Sequence, residues 1–98
     1  MQTIARFSNE AEVIQMANDS EYGLSAAIFT TNITRARRVS EALKVGTVTV
    51  NCWGTIHAHI PFGGVKQSGY GRDLGREALD EWTVVKTVQH WLVDANLE

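Results

Sequence analysis

Apolar residues recur at helical spacing in two stretches of this chain and alternate or run together in several others. Residues 2–7 alternate weakly, with Ile4 and Phe7 as apolar anchors, and predict a short first strand. Ser8 and Asn9 are good helix caps, and Glu12 follows Asn9 by three residues in capping-box order. Ala11, Val13, Ile14 and Ala17 then recur at helical spacing, and Asn18-Asp19-Ser20 ends that helix as turn chemistry. A second strand is predicted over 24–30, where a nearly continuous apolar run implies cover on both faces. Thr31 and Asn32 can cap a second helix over 33–44, with Ala36, Val39, Ala42 and Leu43 on its apolar side. Gly46 stands where a left-handed C-terminal cap is expected. Thr47, Val48, Thr49 and Val50 are all β-branched and predict a third strand over 47–51.

The pattern then breaks. From Asn51 to about Leu74 there is no period, and Gly63, Gly64, Gly69 and Gly71 permit tight or close-approach backbone. A loop this long in a compact domain usually has a function. Residues 75–81 predict a short helix. Residues 83–92 predict a long final strand, with Val84, Lys86, Val88, His90 and Leu92 on one face and Val85, Thr87, Gln89 and Trp91 on the other. Residues 93–98 read as a polar tail. The order is β-α-β-α-β, long glycine-rich loop, short helix, long strand. It predicts an α/β fold with a small, mostly parallel sheet and right-handed crossovers, in a single domain over residues 1–98.

Composition narrows the function classes. The chain is 44% hydrophobic and 20% charged with a net charge of −2, ordinary for a globular domain and unlike an electrostatic nucleic-acid binder. Arg35, Arg37, Arg38 and Lys44 are interrupted by Glu41 and read as the solvated face of a helix. No run reaches the length of a transmembrane helix, and no basic-then-apolar leader opens the chain, so no membrane partner is expected. One cysteine makes no internal disulfide. Together these features predict a reducing, cytoplasmic location.

Gly69, Gly71 and Gly75 spell G-x-G-x-x-x-G, one residue off a dinucleotide fingerprint and following a loop instead of a strand. Gly64 to Gly69 has P-loop glycine spacing, but Tyr70 stands where the lysine is needed. Neither is read as a phosphate site. Cys52, His57 and His59 match no zinc spacing, so no metal is expected, and Cys52 reads as a small buried hydrophobe. His57 and His59 are candidate acid–base groups, because imidazole titrates near neutrality. Solvent-exposed loop residues are the other reading of the pair.

Val50-Asn51-Cys52-Trp53 followed by Pro61-Phe62-Gly63-Gly64-x-Lys66-x-Ser68-Gly69-x-Gly71-Arg72-Asp73-Leu74-Gly75 resembles the carboxy-terminal signature of the NAD(P)-dependent aldehyde dehydrogenase superfamily. The stretch from Glu10 through Tyr22-Gly23-Leu24 to Thr30 resembles that family's helix and following strand, and Glu81-Trp82-Thr83-x-x-Lys86 its last strand. The resemblance runs from about Gln2 to Leu92. It implies that the nucleophilic cysteine, the general-base glutamate and the dinucleotide-binding region belong to segments upstream of these residues. It places Trp53, Ile56 and Phe62 on the apolar walls of an aldehyde tunnel, with His57 and His59 in the same segment, where the family usually has no histidine pair. It reads Lys66 and Arg72 as donors that hold the loop, and Asp73, in place of the usual glutamate, as a brace. It assigns 83–92 to an oligomerisation arm.

The resulting expectation is a truncated aldehyde dehydrogenase-like protein, unable to oxidise an aldehyde alone. It should bind no NAD or NADP unless another chain supplies the missing segments. Two alternatives stand beside it. One is a recruited cofactor-independent isomerase, dehydratase or cyclase working in the 53–62 loop pocket. The other is a non-catalytic oligomerisation or binding module for a full-length dehydrogenase. The expected partners are further copies of the chain through 83–92 and an apolar small molecule.

Overall fold

The computed structural model describes residues 1–93. Its first element, α1 (Glu10–Asn18), starts where the sequence places a cap: the Asn9 side chain accepts from the Glu12 amide at 2.9 Å. The Glu12 carboxylate reaches back to the amide of Ser8 at 2.6 Å, one residue earlier than in a standard capping box. Glu10 and Glu12 put negative charge on the first turn, where the helix dipole favours it. The second helix, α2 (Ile33–Ala42), is capped by Asn32, which accepts from the Arg35 amide at 2.9 Å.

α2 ends two residues before the predicted limit, and a tertiary contact accounts for it. Leu43 turns to extended backbone. The Asn18 side chain, at the end of α1, donates to the Ala42 carbonyl at 2.9 Å and accepts from the Lys44 amide at 2.8 Å. The two helix ends are thereby tied together. Gly46 is not the left-handed cap the sequence suggests, since its φ is not positive. It is glycine because the chain passes so near Gly63 that a Cβ would collide with the Gly63 carbonyl.

The sheet is α/β in type but smaller than predicted. β2 (Ser25–Ile28) and β3 (Thr47–Val50) pair in parallel, Ser25 opposite Thr47 through Ile28 opposite Val50, with α2 as the crossover. Asn51, at φ 57, closes this pair: its side chain accepts from the Thr30 amide at 2.8 Å and donates to the Thr30 carbonyl at 3.0 Å. The predicted strand over 24–30 is thus reduced to four residues. The chain before it forms a separate strand, β1 (Tyr22–Gly23), antiparallel to β4 (Val65–Lys66) in the glycine-rich loop. A 3₁₀ helix (Arg76–Glu81) takes the place of the predicted short helix.

Two predicted strands do not form. Residues 2–7 and 83–92 are exposed and carry no ladder. A strand exists only with a neighbour to satisfy its amides and carbonyls, and among the described residues none lies beside either segment. For the same reason the run from Ala26 to Phe29 lacks the two-sided cover its sequence implies, and Phe29 is 70% exposed.

Among the described residues the apolar core consists of Ala36 (3% exposed) and Val39 (8%), both on α2. The chain exposes 8892 Å², whereas a folded monomer of 10.8 kDa exposes about 5,500 Å². Its radius of gyration is 21.8 Å, against about 13 Å for a compact chain of this length. The molecule is elongated, 80 Å in its longest dimension.

Candidate functional site

The loop between β3 and the 3₁₀ helix is built in two halves that differ in burial and hydrogen bonding. The second half is tied down at several points. Phe62 and Asp73 exchange backbone hydrogen bonds at 2.7 and 2.8 Å, closing residues 62–73 into a ring. Arg72 lies inside that ring and donates to the carbonyls of Gly64 at 3.0 Å and Gly71 at 2.7 Å. Lys66 adopts a left-handed backbone and sends its ammonium to the carbonyls of Asn18 at 2.9 Å and Ser20 at 3.0 Å, just past the end of α1. A cation there completes carbonyls that the helix leaves without partners. The Ser68 hydroxyl accepts from the Gly23 amide at 2.9 Å, and the Gln67 amide donates to the Glu21 carbonyl at 2.9 Å. Lys66 and Arg72 therefore hold the loop, as their positions in the motif suggest. Asp73 braces it through its backbone.

The first half, residues 51–60, is exposed throughout. Trp53 is 68% exposed and Ile56 63%. Phe62 is half-buried at the junction of the two halves. The Ile60 amide donates to the His57 carbonyl at 3.1 Å, forming a turn that carries both His57 and His59 on the surface. The Gly75 amide donates to the Ala58 carbonyl at 2.9 Å and anchors that turn to the start of the 3₁₀ helix. Cys52 is exposed, not a buried hydrophobe, and its Sγ lies 3.6 Å from the Thr55 hydroxyl. Among the described residues, no group of three or more His, Cys, Asp or Glu side chains is placed to hold a metal ion.

The apolar concavities lie elsewhere. A cleft of about 560 Å³ opens between α1, β2 and α2, lined by Phe7, Val13, Ile14, Ala17, Ile28 and Leu43, with Glu10 and Arg35 as its charged members. A shallower one of about 470 Å³ is lined by Phe29, Ile33, Ala36 and Val50. Neither is lined by Trp53, Ile56, Phe62, His57 or His59. The sequence reading missed the larger cleft, although its lining is the apolar side of the first predicted helix facing the second predicted strand. The side-chain contacts of Asn18 and Ser68, and the carbonyls on which the Lys66 ammonium lands, carry no local sequence signal.

The titration of Glu10 is displaced. The Arg38 guanidinium donates to it twice, at 2.5 and 2.8 Å, and Arg35 stands 3.6 Å away. The Arg38 hydrogen bonds foremost, opposed by desolvation and aided by weaker attraction from Arg38 and Arg35, hold the Glu10 carboxyl below the usual carboxylate range. Arg37 pairs with Glu41 one turn along α2 at 3.0 Å. The basic stretch of α2 is solvated, and part of it clamps α1.

Residues 1–88 match the family model described as "Aldehyde dehydrogenase family". The chain is 52% identical to an aldehyde dehydrogenase of Emericella nidulans over 95% of its own length and 19% of that protein. It is 49% identical to retinaldehyde dehydrogenase 3 of Homo sapiens, over 98% of this chain and 19% of that one. Among solved structures, the betaine aldehyde dehydrogenase of Staphylococcus aureus in complex with NAD+ superposes with a TM-score of 0.82 at 45% identity, over 94% of this chain and 19% of that one. The aldehyde dehydrogenase of Bacillus cereus in its NAD+ complex gives 0.82 at 50% identity, over 84% and 17%. The chain thus spans about a fifth of the length of the curated relatives it matches. Among the described residues, no helix is long and apolar enough to cross a membrane.

Proposed function

Because the chain belongs to the aldehyde dehydrogenase family, we propose that it is the carboxy-terminal part of an aldehyde dehydrogenase-type catalytic unit, and that by itself it oxidises no aldehyde. The observation that carries this reading is the alignment of 95% of the chain with only 19% of a relative that is 52% identical. Aldehyde oxidation needs an activated thiol, an oxyanion site and a bound nicotinamide cofactor. The residues present do not fit that cofactor. The glycine-rich stretch from Gly69 to Gly75 opens no α-helix, and the Glu81 carboxylate occupies the space a Cβ on Gly71 would take, so an acid faces the backbone where a pyrophosphate would need amides.

What the chain contributes is shape. The ring closed by Phe62 and Asp73 and latched by Lys66 offers a rigid support for the exposed turn that precedes it. Within a completed catalytic unit, Trp53, Ile56 and Phe62 wall an apolar path for the aldehyde, and His57 and His59 stand at its mouth. Residues 83–92 serve as an association arm. Its exposed Val84, Val85, Val88 and Trp91 and its unladdered backbone support this role, since an apolar strand seeks a neighbour. The arm joins copies of the chain into a dimer or larger assembly.

The test is direct. The purified chain, given NAD+ or NADP+ and a panel of aldehydes, is expected to form no reduced cofactor and to show no binding heat with either dinucleotide. Saturable turnover would overturn the reading. For the arm, sedimentation should show an oligomer that Val88→Asp shifts towards monomer, and a monomeric parent would refute it.

A further inference from the structure

We propose that Ser40, near the end of α2, is the acceptor for a protein kinase that reads arginine side chains, and that the phosphate it receives loosens the last turn of the helix. The proposal is independent of the dehydrogenase reading.

Charge before the hydroxyl is the first observation. The order is Arg37-Arg38-Val39-Ser40. Ser40 is the one serine or threonine of the chain with two arginines among the three residues before it. A kinase cleft lined with carboxylates recognises two guanidinium forks at a fixed distance from the acceptor. The Arg37 side chain is 82% exposed and paired with Glu41 at 3.0 Å, a surface contact that a carboxylate cleft can replace.

The second observation is the position of the hydroxyl. Ser40 is half-buried, and its Oγ donates to the Arg37 carbonyl at 2.8 Å. α2 ends at Ala42, and Leu43 is already extended. A kinase takes its acceptor in extended backbone, so the last turns of α2 must open first. Little opposes that opening. A helix of ten residues does not stand alone in water, and the buried residues of α2 are Ala36 and Val39. Segments with so little buried apolar contact open locally at low free energy. Ser40 Oγ then attacks the γ-phosphorus of ATP. The new O–P bond forms as the bond from that phosphorus to the β–γ bridging oxygen breaks, ADP leaves, and the hydroxyl proton passes to the kinase's catalytic aspartate.

The phosphate changes what the last turn can do. It brings a charge of about −1.5 to −2 to a helix C-terminus whose free carbonyls are already negative, beside the Glu41 carboxylate. It also removes the hydroxyl donor that Arg37 accepts. Arg37 pairs with the phosphate only by leaving Glu41, so one ion pair replaces another. The Ala42 carbonyl and the Lys44 amide, both held by the Asn18 side chain, lie just beyond and open with the turn.

The test incubates the whole folded chain with MgATP and the catalytic subunit of cyclic AMP-dependent protein kinase, an arginine-directed enzyme. The expected product carries one phosphate, mapped to Ser40 by fragment mass, and Ser40→Ala should take up none. Arg37→Ala alters an exposed side chain, so it should keep the parent circular dichroism while its phosphorylation rate falls at least about tenfold. Arg35→Ala removes the same charge outside the three positions and should keep the parent rate. In the phosphorylated chain the Lys44 amide should exchange about fivefold faster than in the parent. A chain that takes up no phosphate at Ser40 overturns the proposal. So does an equal fall in rate for Arg35→Ala and Arg37→Ala, or an unchanged Lys44 amide once the phosphate is in place.

Discussion

Replacing Asn18 by alanine tests how the two helix ends and the glycine-rich loop are joined. The Asn18 carboxamide makes two hydrogen bonds to groups distant in sequence, one to the Ala42 carbonyl and one from the Lys44 amide. Removing it strands both backbone groups at the mouth of the turn between α2 and β3. Each bond contributes about 1 kcal/mol net, so local opening of that turn should become easier by about 2 kcal/mol. This corresponds to about thirtyfold faster exchange of the Lys44 amide. The Arg35 amide, bonded to Asn32 at the far end of α2, should change little. Native-state hydrogen exchange read residue by residue is the assay. Asn18→Asp refines it, because a carboxylate can still accept from the Lys44 amide but has no donor for Ala42 and repels that carbonyl. Its Ala42–Lys44 turn should open almost as readily as the alanine variant's. The backbone carbonyl of Asn18, which Lys66 holds, survives in both variants, so the loop should stay latched. A Lys44 amide that exchanges within about threefold of the parent in Asn18→Ala would refute the reasoning.

Glu10 titrates below its usual range, so its pairing with Arg38 strengthens the contact of α1 with α2 above the ordinary carboxylate pKa and is lost as pH falls through the depressed value. Thermal melts on an acid series should show that loss, and Glu10→Gln should flatten it. Gly71→Ala should destabilise the loop by about 1–2 kcal/mol for its left-handed backbone at φ 81, with a collision against Glu81 added. Combining it with Glu81→Ala should relieve the collision and leave the backbone cost, which proteolysis of the loop would report. In a reconstituted catalytic unit, Phe62→Ala should raise KM for an apolar aldehyde more than it lowers kcat. His57→Ala or His59→Ala should slow proton transfer by about 100-fold or more if the histidine moves the proton. Parent rates in both histidine variants would mark the pair as surface residues.

The parts of this protein legible in its sequence are those whose cause is local. Asn9 and Asn32 cap their helices because a side-chain oxygen reaches an amide three residues on. The β-branched run from Thr47 to Val50 is a strand, and the helix before it makes the pairing with β2 parallel. The glycine and motif spacing from Pro61 to Gly75 announced both a shaped loop and a family. Lys66 and Arg72 were legible as the donors that hold the loop because the motif assigns them, though not where their hydrogen bonds would land.

Tertiary structure decided everything that needs a second surface. Residues 2–7 and 83–92 have strand patterns yet form none, because alternation states which face a strand would bury and not whether a neighbour exists to bond it. Gly46 is glycine on account of Gly63, and Asn18 ends α2 from outside it, since contacts across 17 and 24 residues leave no mark on local periodicity. The same holds for Trp53 and Ile56: their apolarity is written in the chain, but a pocket wall is a relation between surfaces. Here both side chains are largely exposed, while an apolar cleft lies between α1, β2 and α2.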